Sequence, residues 1–321
     1  METALDLKDR KILYELDANA RQSDAEIGRK TGLSKEVVNY RIKRLVEAGA
    51  IRNFCTIIDA SRLGYLSCRV FLKFQHDDPA REKRMIKFFT DEPGAWWVCS
   101  IDGSKDLAVV VWARDAYEFY AFVEKVQREF KPVIKDAFTA IYARFYQYRR
   151  AYLLGKGEND APAMESCSSE KAEVDETDLA ILKKMAANAR MPTVKIASET
   201  GLTASVVNYR IKKLLEKKVI QGFCAALDLQ KIGRHLYKLN LDLEDFSKAG
   251  AILSYAELHP NITYAYKTIG GADLELEIEA KNYGEFREIV DDLRTKFSKT
   301  IRCHDYFLFT KEHKMLYLPM D

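Results

Sequence analysis

The chain has 321 residues, 47% of them hydrophobic and 31% charged, with a formal net charge of +3. That length accommodates two or more domains with their own cores, and the composition is ordinary for a soluble globular protein. A balance of +3 does not single out a partner, so any positive charge that meets a nucleic acid must be local.

The opening segment METALDLKDRK is polar and lacks the hydrophobic centre of a signal peptide. The longest apolar stretch, Leu107–Ala113, is far too short to cross a bilayer, so a cytoplasmic location is expected. The first helix is predicted from Asp6, a capping residue, with Ile12, Leu13 and Leu16 on one side. Ser23 followed by Glu26 is a capping-box signal for a second helix through Lys30. Gly32 ends it in a Thr-Gly-Leu turn, and Ser34 caps a third helix running to about Ala48, with Gly49 as its stop. Two helices joined by a short glycine-containing turn form a helix-turn-helix.

A short strand is predicted over 51–58. Strand Ser67–Phe74, helix Pro79–Thr90, strands Ala95–Ile101 and Leu107–Ala113, helix Ala116–Phe130 and strand Ile134–Tyr148 follow. The order β-α-β-β-α-β is the ferredoxin-like split unit. Residues 155–173 show no apolar periodicity and read as a flexible linker spanning roughly 25 Å.

The whole plan then repeats. VVNYRIK occurs at Val37–Lys43 and again 169 positions later at Val206–Lys212, and Asp6–Leu45 matches Asp175–Leu214 without a gap at 20 of 40 positions. In the second copy Asp175, the turn Thr200-Gly201-Leu202 and the cap Thr203 recur, while Pro192 and Lys195 replace the capping-box pair. A strand over 220–227 precedes Tyr237–Leu243, Lys248–Leu258, Ile262–Thr268, Leu274–Ala280, Tyr283–Phe297 and Thr300–Phe309. Phe119, Phe122, Val123, Val126 and Phe130 match Phe286, Ile289, Val290, Leu293 and Phe297, one apolar stripe of a helix lying on a sheet.

The fold class is therefore α+β: two three-helix helix-turn-helix domains, each followed by a ferredoxin-like domain, forming an internal pseudo-dimer. The expected domains are residues 1–53 and 54–154, the linker 155–173, and residues 174–222 and 223–321. The last strands are apolar on both faces, which predicts that the two sheets pack together to cover the surplus face. Covalent linkage adds an effective concentration on the order of millimolar.

On a helical wheel Val38, Ile42 and Leu45 face the other two helices. The outer face then carries Glu36, Tyr40, Lys43 and Glu47, flanked by Asn39 and Arg44. Ser34, Lys35 and Glu36 begin the helix, where a recognition helix meets base edges. Asn pairs with adenine, Lys or Arg with guanine, and Glu with cytosine; Arg41, Lys43 and Arg44 suit phosphates. The second helix offers Thr203, Ala204, Ser205, Asn208, Tyr209, Arg210, Lys212 and Lys213. Because Ala204-Ser205 replaces Lys35-Glu36, the two halves should prefer non-identical half-sites. The bland reading of such a face is a solvated helix used for protein contacts; retention of Asn-Tyr-Arg-x-Lys in both copies favours double-stranded DNA as partner.

The opening Asp6-x-x-Asp9-x-x-Ile12-Leu13, the Asn19-Ala20-Arg21 segment, the Gly32–Ser34 turn and the following sheet unit resemble the Lrp/AsnC family of transcription regulators of bacteria and archaea. The resemblance covers nearly the whole chain, twice. It implies sequence-specific DNA binding and dimerisation through the sheet domain, here within one chain; further homo-oligomerisation is left open. It also implies a small-molecule effector, often an amino acid, near a G-x-x-D turn, present as Gly103 to Asp106 and Gly270 to Asp273. Glycine allows close backbone approach and Asp could receive an ammonium group, although Gly-x-x-Asp is equally what a hairpin turn needs. Leu107 and Leu274 replace the aromatic residue common after the Asp in that family.

Six scattered cysteines (Cys55, Cys68, Cys99, Cys167, Cys224, Cys303) without a C-x-x-C pair predict neither a disulfide framework nor a metal site. No cofactor is expected. The same fold resembles the sirohaem decarboxylases, which bind a carboxylate-rich tetrapyrrole. That chemistry needs gathered His and Arg, whereas His76, His235, His259, His304 and His313 share no repeat position. The expectation is that the chain is not an enzyme, the alternatives being such a decarboxylase or an interaction protein that binds no DNA.

Overall fold

Helix α1 (Leu7–Ala18) begins where Asp6 and Asp9 exchange hydrogen bonds in a capping box, and α2 (Asp24–Thr31) where Ser23 and Glu26 do the same. The computed structural model describes residues 3–75, 78–155, 158–159 and 163–318, so His76 lies outside it. Gly32, at φ 71°, ends α2 in the left-handed region, and one turn later Ser34 caps α3 (Lys35–Glu47) by accepting from the Val37 amide. The first copy continues with β1 (Ile51–Ile58), β2 (Leu66–Phe74), α4 (Pro79–Asp91), β3 (Ala95–Asp102), β4 (Leu107–Ala113), α5 (Ala116–Phe130) and β5 (Ile134–Gln147). A short strand β6 (Met164–Ser166) lies in the connection. The second copy runs α6 (Glu176–Ala187), α7 (Thr193–Thr200), α8 (Ala204–Glu216), β7 (Ile220–Leu227), β8 (His235–Leu243), α9 (Ala249–Leu258), β9 (Ile262–Ile269), β10 (Leu274–Ala280), α10 (Tyr283–Lys296) and β11 (Ile301–Met315).

The predicted architecture is present: two helix-turn-helix units, each followed by a ferredoxin-like unit. The way the sheets meet differs from the expected face-to-face packing. The first part of β5 pairs with β2, but from Ile141 onward it pairs with β9 of the other copy. In the same way β11 pairs with β8 and then, from Leu308, with β3. The order β2-β4-β3-β11-β8-β10-β9-β5, closed by β5 on β2, is an eight-stranded antiparallel ring. Long final strands that serve two sheets explain why both their faces are apolar: one looks into the ring, the other lies under helices.

The helical units also exchange partners. Strands β1 and β7 pair antiparallel, with Cys55 opposite Cys224. Ala225 and Leu227 of β7 join Ile12, Leu13, Leu16, Ile27, Val38 and Leu45 in the first helical core, and Cys55, Ile57 and Ile58 of β1 join Ile181, Leu182, Ile196, Val207 and Leu214 in the second. Each fully buried aliphatic side chain contributes roughly 1.5–3 kcal/mol, so neither helical unit is complete without the other copy's strand.

The described part of the connection is docked, in contrast to the flexible linker expected. Met164–Ser166 pair with Phe145–Gln147, the Ala172 amide donates to the Arg62 carbonyl (2.8 Å), and the Asn159 amide donates to the Leu258 carbonyl (2.7 Å). Polar composition carried no periodicity because the segment runs over the surface as an added edge. Among the described residues no helix is long and apolar enough to cross a membrane.

Candidate functional site

In α3 and α8 the side chains of Val38, Ile42 and Leu45, and of Val207, Ile211 and Leu214, are buried. That leaves the opposite faces outward. Ser34, Lys35, Glu36, Asn39, Tyr40 and Lys43 are exposed, as are Thr203, Ser205, Asn208, Tyr209, Lys212 and Lys213, while Ala204 is half-buried. Tyr40 and Tyr209 stand out most, at 67% and 61% exposure. Val37 and Val206, each 39% exposed, share this face; sequence reasoning overlooked them. The doubled valine of VVNYRIK was the available signal, since only one of two adjacent residues can face the core.

The arginines behave differently from the lysines. Arg41 Nη1 bonds Asp6 Oδ2 and Asp9 Oδ1, both at 2.8 Å, and Arg44 Nη2 bonds Asp9 Oδ2 at 2.5 Å. Arg210 Nη1 repeats this with Asp175 (2.6 Å) and Asp178 (3.0 Å). These side chains brace the third helix against the capping carboxylates of the first, so Arg41 and Arg44, expected at phosphates, and Arg210 are paired within the protein. The Asp9 amide, aided by Arg41, holds the Asp6 carboxyl down at about 2. Asn39 Nδ2 donates to Asp24 Oδ2 (2.8 Å), whereas Asn208 Oδ1 accepts from Thr193 Oγ1 (3.1 Å). Lys213 is drawn to Glu216 (2.9 Å).

The two helical units are clamped to each other reciprocally. Arg21 Nη1 donates to the carbonyls of Ala189 (2.6 Å) and Met191 (3.3 Å). Arg190 Nη1 donates to those of Ala20 (2.7 Å) and Gln22 (3.1 Å), and its Nη2 to Asp24 Oδ1 (2.6 Å). The Ala20 amide meets the Phe223 carbonyl and the Ala189 amide that of Phe54. The mutual spacing of α3 and α8 is therefore fixed by the protein.

The two Gly-x-x-Asp turns sit where β5 and β11 cross between copies. Gly103 and Gly270 take φ 134° and 86°; a Cβ on Gly270 would come within 2.8 Å of the Thr139 carbonyl oxygen. Asp106 accepts from Lys73 Nζ (2.7 Å) and the Phe74 amide (2.6 Å), and Asp273 from the Leu243 amide (2.8 Å). Both carboxylates tie the turn to the end of a neighbouring strand, β2 for Asp106 and β8 for Asp273.

Inside the ring lies a polar core that the sequence did not announce. Arg69 forks onto Glu275 at 2.5 and 2.7 Å, and Lys238 touches Glu275 (2.9 Å) and Glu277 (3.4 Å). Burial works against every charge here, but Arg69 and Lys238 hold Glu275 ionised, while burial raises Glu277 and lowers Lys238. At one end Arg150 bonds Glu279 (2.9 Å) and Asp17 (2.5 Å). A cavity of about 80 Å³ lies between, lined among others by Glu277, Glu279, Glu312, Arg52 and Arg150. The described histidines are dispersed: His313 Nε2 meets Ser100 Oγ (2.9 Å), and His259, depressed to about 4 by burial, accepts from the Asn261 amide. Among the described residues no three His, Cys, Asp or Glu side chains gather so as to hold a metal ion.

The winged helix-turn-helix DNA-binding family matches residues 5–52 and again 174–221. An uncharacterized HTH-type transcriptional regulator of Pyrococcus abyssi is 32% identical over 134 residues, 41% of this chain and 89% of that one. An AsnC family transcriptional regulator from Agrobacterium tumefaciens is 23% identical over 43% of this chain and 89% of its own, at TM-score 0.39. The siroheme decarboxylase NirDL, solved with an iron-uroporphyrin III analogue, is similar over 97% of this chain and 94% of its own, at TM-score 0.63 and 13% identity. That likeness is one of fold, and it overturns the expectation that the chain is not an enzyme: an enzyme is built on the same two-copy plan over nearly its full length.

Proposed function

This chain belongs to the Lrp/AsnC family, as two of its units fused in tandem, and on that premise we propose that it is a cytoplasmic, sequence-specific DNA-binding regulator. The reading rests on one observation: both third helices turn an uncovered polar face outward, while the Arg21–Arg190 clamp holds them at a set spacing. On this proposal α3 and α8 enter neighbouring major grooves about one helical turn apart. Asn39 and Asn208 address base edges, Val37, Tyr40, Val206 and Tyr209 offer apolar contact to thymine methyls, and Ser34, Lys35, Glu36, Lys43, Thr203, Ser205, Lys212 and Lys213 complete base and phosphate contacts. Lys35-Glu36 against Ala204-Ser205 makes the preferred site an imperfect palindrome. The relatives named as transcriptional regulators support this assignment. Asn39→Ala combined with Asn208→Ala should weaken specific binding at least about tenfold without moving the melting temperature. An unchanged gel shift refutes the assigned face.

A second reading is favoured by the full-length likeness to a siroheme decarboxylase: an enzyme acting on a tetrapyrrole. The ring's interior cavity of about 80 Å³, with Arg150 already paired to Glu279 and Asp17, would have to open widely to admit a macrocycle. Titration with sirohaem decides: a saturable visible band supports this reading, and a spectrum equal to the free pigment removes it. A small-molecule effector at Gly103, Asp106, Gly270 and Asp273 is proposed only as an accessory, testable by calorimetry with the common amino acids.

A further inference from the structure

The internal repeat allows each buried contact to be compared with its counterpart in the other copy. The offset is 169 residues up to β2 and β8 and 167 from β3 and β9 onward, as the matched ladders Ser67 on Trp112 and Leu236 on Glu279 show. Arg69 then corresponds to Lys238, Glu275 to Ala108, Glu279 to Trp112 and Asp17 to Ala186.

Two guanidinium–carboxylate forks cross between the copies, and both run the same way, from a first-copy arginine to a second-copy glutamate. They are Arg69 on Glu275 and Arg150 on Glu279. Each has lost its counterpart. Opposite the first stands Lys238 with Ala108; Lys238 turns instead onto its own copy's Glu275 and Glu277, and Ala108 packs among Phe71, Phe307 and Phe309.

Opposite the second, the chain docks alike but delivers different chemistry. The Tyr148 amide bonds the Thr263 carbonyl (2.8 Å) two residues before Arg150, and the Leu316 amide bonds that of Trp96 (2.7 Å) one residue before Tyr317, because a second bulge in β11 puts this end one residue out of step with β5. Where Arg150 finds Glu279, Asp17 and the Tyr152 hydroxyl at Glu279, Tyr317 finds Trp96 stacked on Trp112 (5.0 Å, 13°). One end of the ring is ionic and the other aromatic, each complete as a set.

We infer that these sets make the two copies partners for each other and not for themselves, so that the ring closes only between a first copy and a second copy. A first copy paired with another first copy places Arg69 against Ala108 and Arg150 against Trp112, two buried guanidiniums without their glutamates, Arg69 with no carboxylate and Arg150 with its own copy's Asp17 alone. A second copy paired with another leaves Glu279 buried against Tyr317 without a cation. Uncompensated charge at nearly zero exposure is the strongest available discrimination against a wrong partner. The device keeps neighbouring chains from exchanging halves, and it operates whether or not DNA is bound.

The direct test inserts a protease site between Asn159 and Ala163, cuts the folded protein, unfolds it and refolds the equimolar halves for native mass spectrometry. Pairs of unlike halves should exceed like pairs by at least about tenfold; a random mixture, with as many like as unlike pairs, overturns the inference. If the cut halves do not refold, the intact chain decides. Arg150→Tyr alone should lower the melting temperature by roughly 10 °C. Adding Asp17→Ala and Glu279→Trp, which replaces the charged partners by the residue types of Ala186 and Trp112, should recover at least about half of that loss. A triple variant as unstable as the sum of its single changes, or one that does not fold, overturns the inference.

Discussion

Replacing Arg21 and Arg190 together by alanine probes what holds the reading helices in register. Each guanidinium donates to two carbonyls of the opposite helical unit, and Arg190 adds a charged bond to Asp24. A hydrogen bond involving a charged donor contributes about 1.5–3 kcal/mol in favourable cases. Both side chains are half-buried, and burial together with the neighbouring Arg190 lowers the Arg21 pKa, a sign that the two cations oppose each other slightly. About 2 kcal/mol for each arginine is therefore a fair figure, and the double variant should melt roughly 5–10 °C lower. The β1–β7 ladder keeps the units attached, so the larger consequence is geometric. On DNA whose half-sites are moved apart in single base-pair steps, the native protein should show one sharp optimum. The variant should lose about tenfold at that optimum and bind the displaced sites more evenly, because the second unit is no longer presented at a fixed effective concentration. A variant with the native melting temperature and the native spacing profile would refute the clamp's assigned role.

Further outcomes follow from other contacts. Lys43→Ala with Lys212→Ala, two exposed lysines on matching helix turns, should make the slope of log affinity against log salt shallower by roughly 2, read from binding isotherms at several ionic strengths. Arg69→Ala strands Glu275 with Lys238 alone and should cost about 3–5 kcal/mol in denaturant titration; a loss under 1 kcal/mol would show the fork to be dispensable. Asp106→Ala or Asp273→Ala removes a cap from a backbone amide and should cost about 1–2 kcal/mol, measured by thermal melting without any ligand. His259 has a folded pKa of about 4, below its ordinary value, so the folded state holds fewer protons than the unfolded one. Its contribution is complete above about pH 6.5 and is lost as pH falls toward 4, up to about 3 kcal/mol. His259→Asn should flatten the stability profile in that window, and an unchanged profile would remove the assignment.

The parts of this molecule that were legible in the sequence are those fixed by local chemistry. Capping residues at Asp6, Ser23, Ser34 and Thr203, the glycines at 32 and 201, and the apolar stripes of α5 and α10 state their own positions, and the elements fall within a residue or two of expectation except where β11 runs on to Met315. That extension reads poorly because Lys311-Glu312-His313-Lys314 is polar; Glu312 bonds Trp97 and Arg52, and Lys314 the Glu92 carbonyl, partners from distant segments. The exposed faces of α3 and α8 were legible because the buried triads leave no choice. The status of Arg41 and Arg210 was not, since nothing in a helical wheel reveals that Asp9 and Asp178 wait on another helix. Glu275, Glu277 and Glu279 alternate along β10 as an outward strand face would. Their burial follows only from closure of the ring, a relation between strands more than a hundred residues apart.

A closed ring of strands has no terminal member. The backbone donors and acceptors that a flat sheet leaves along its first and last strands, and that invite another chain to add itself, are here spent on the other copy. Growth by strand addition at the eight ring strands is thereby disfavoured, and the strand edges left among the described residues are those of β6 and of the β1–β7 pair.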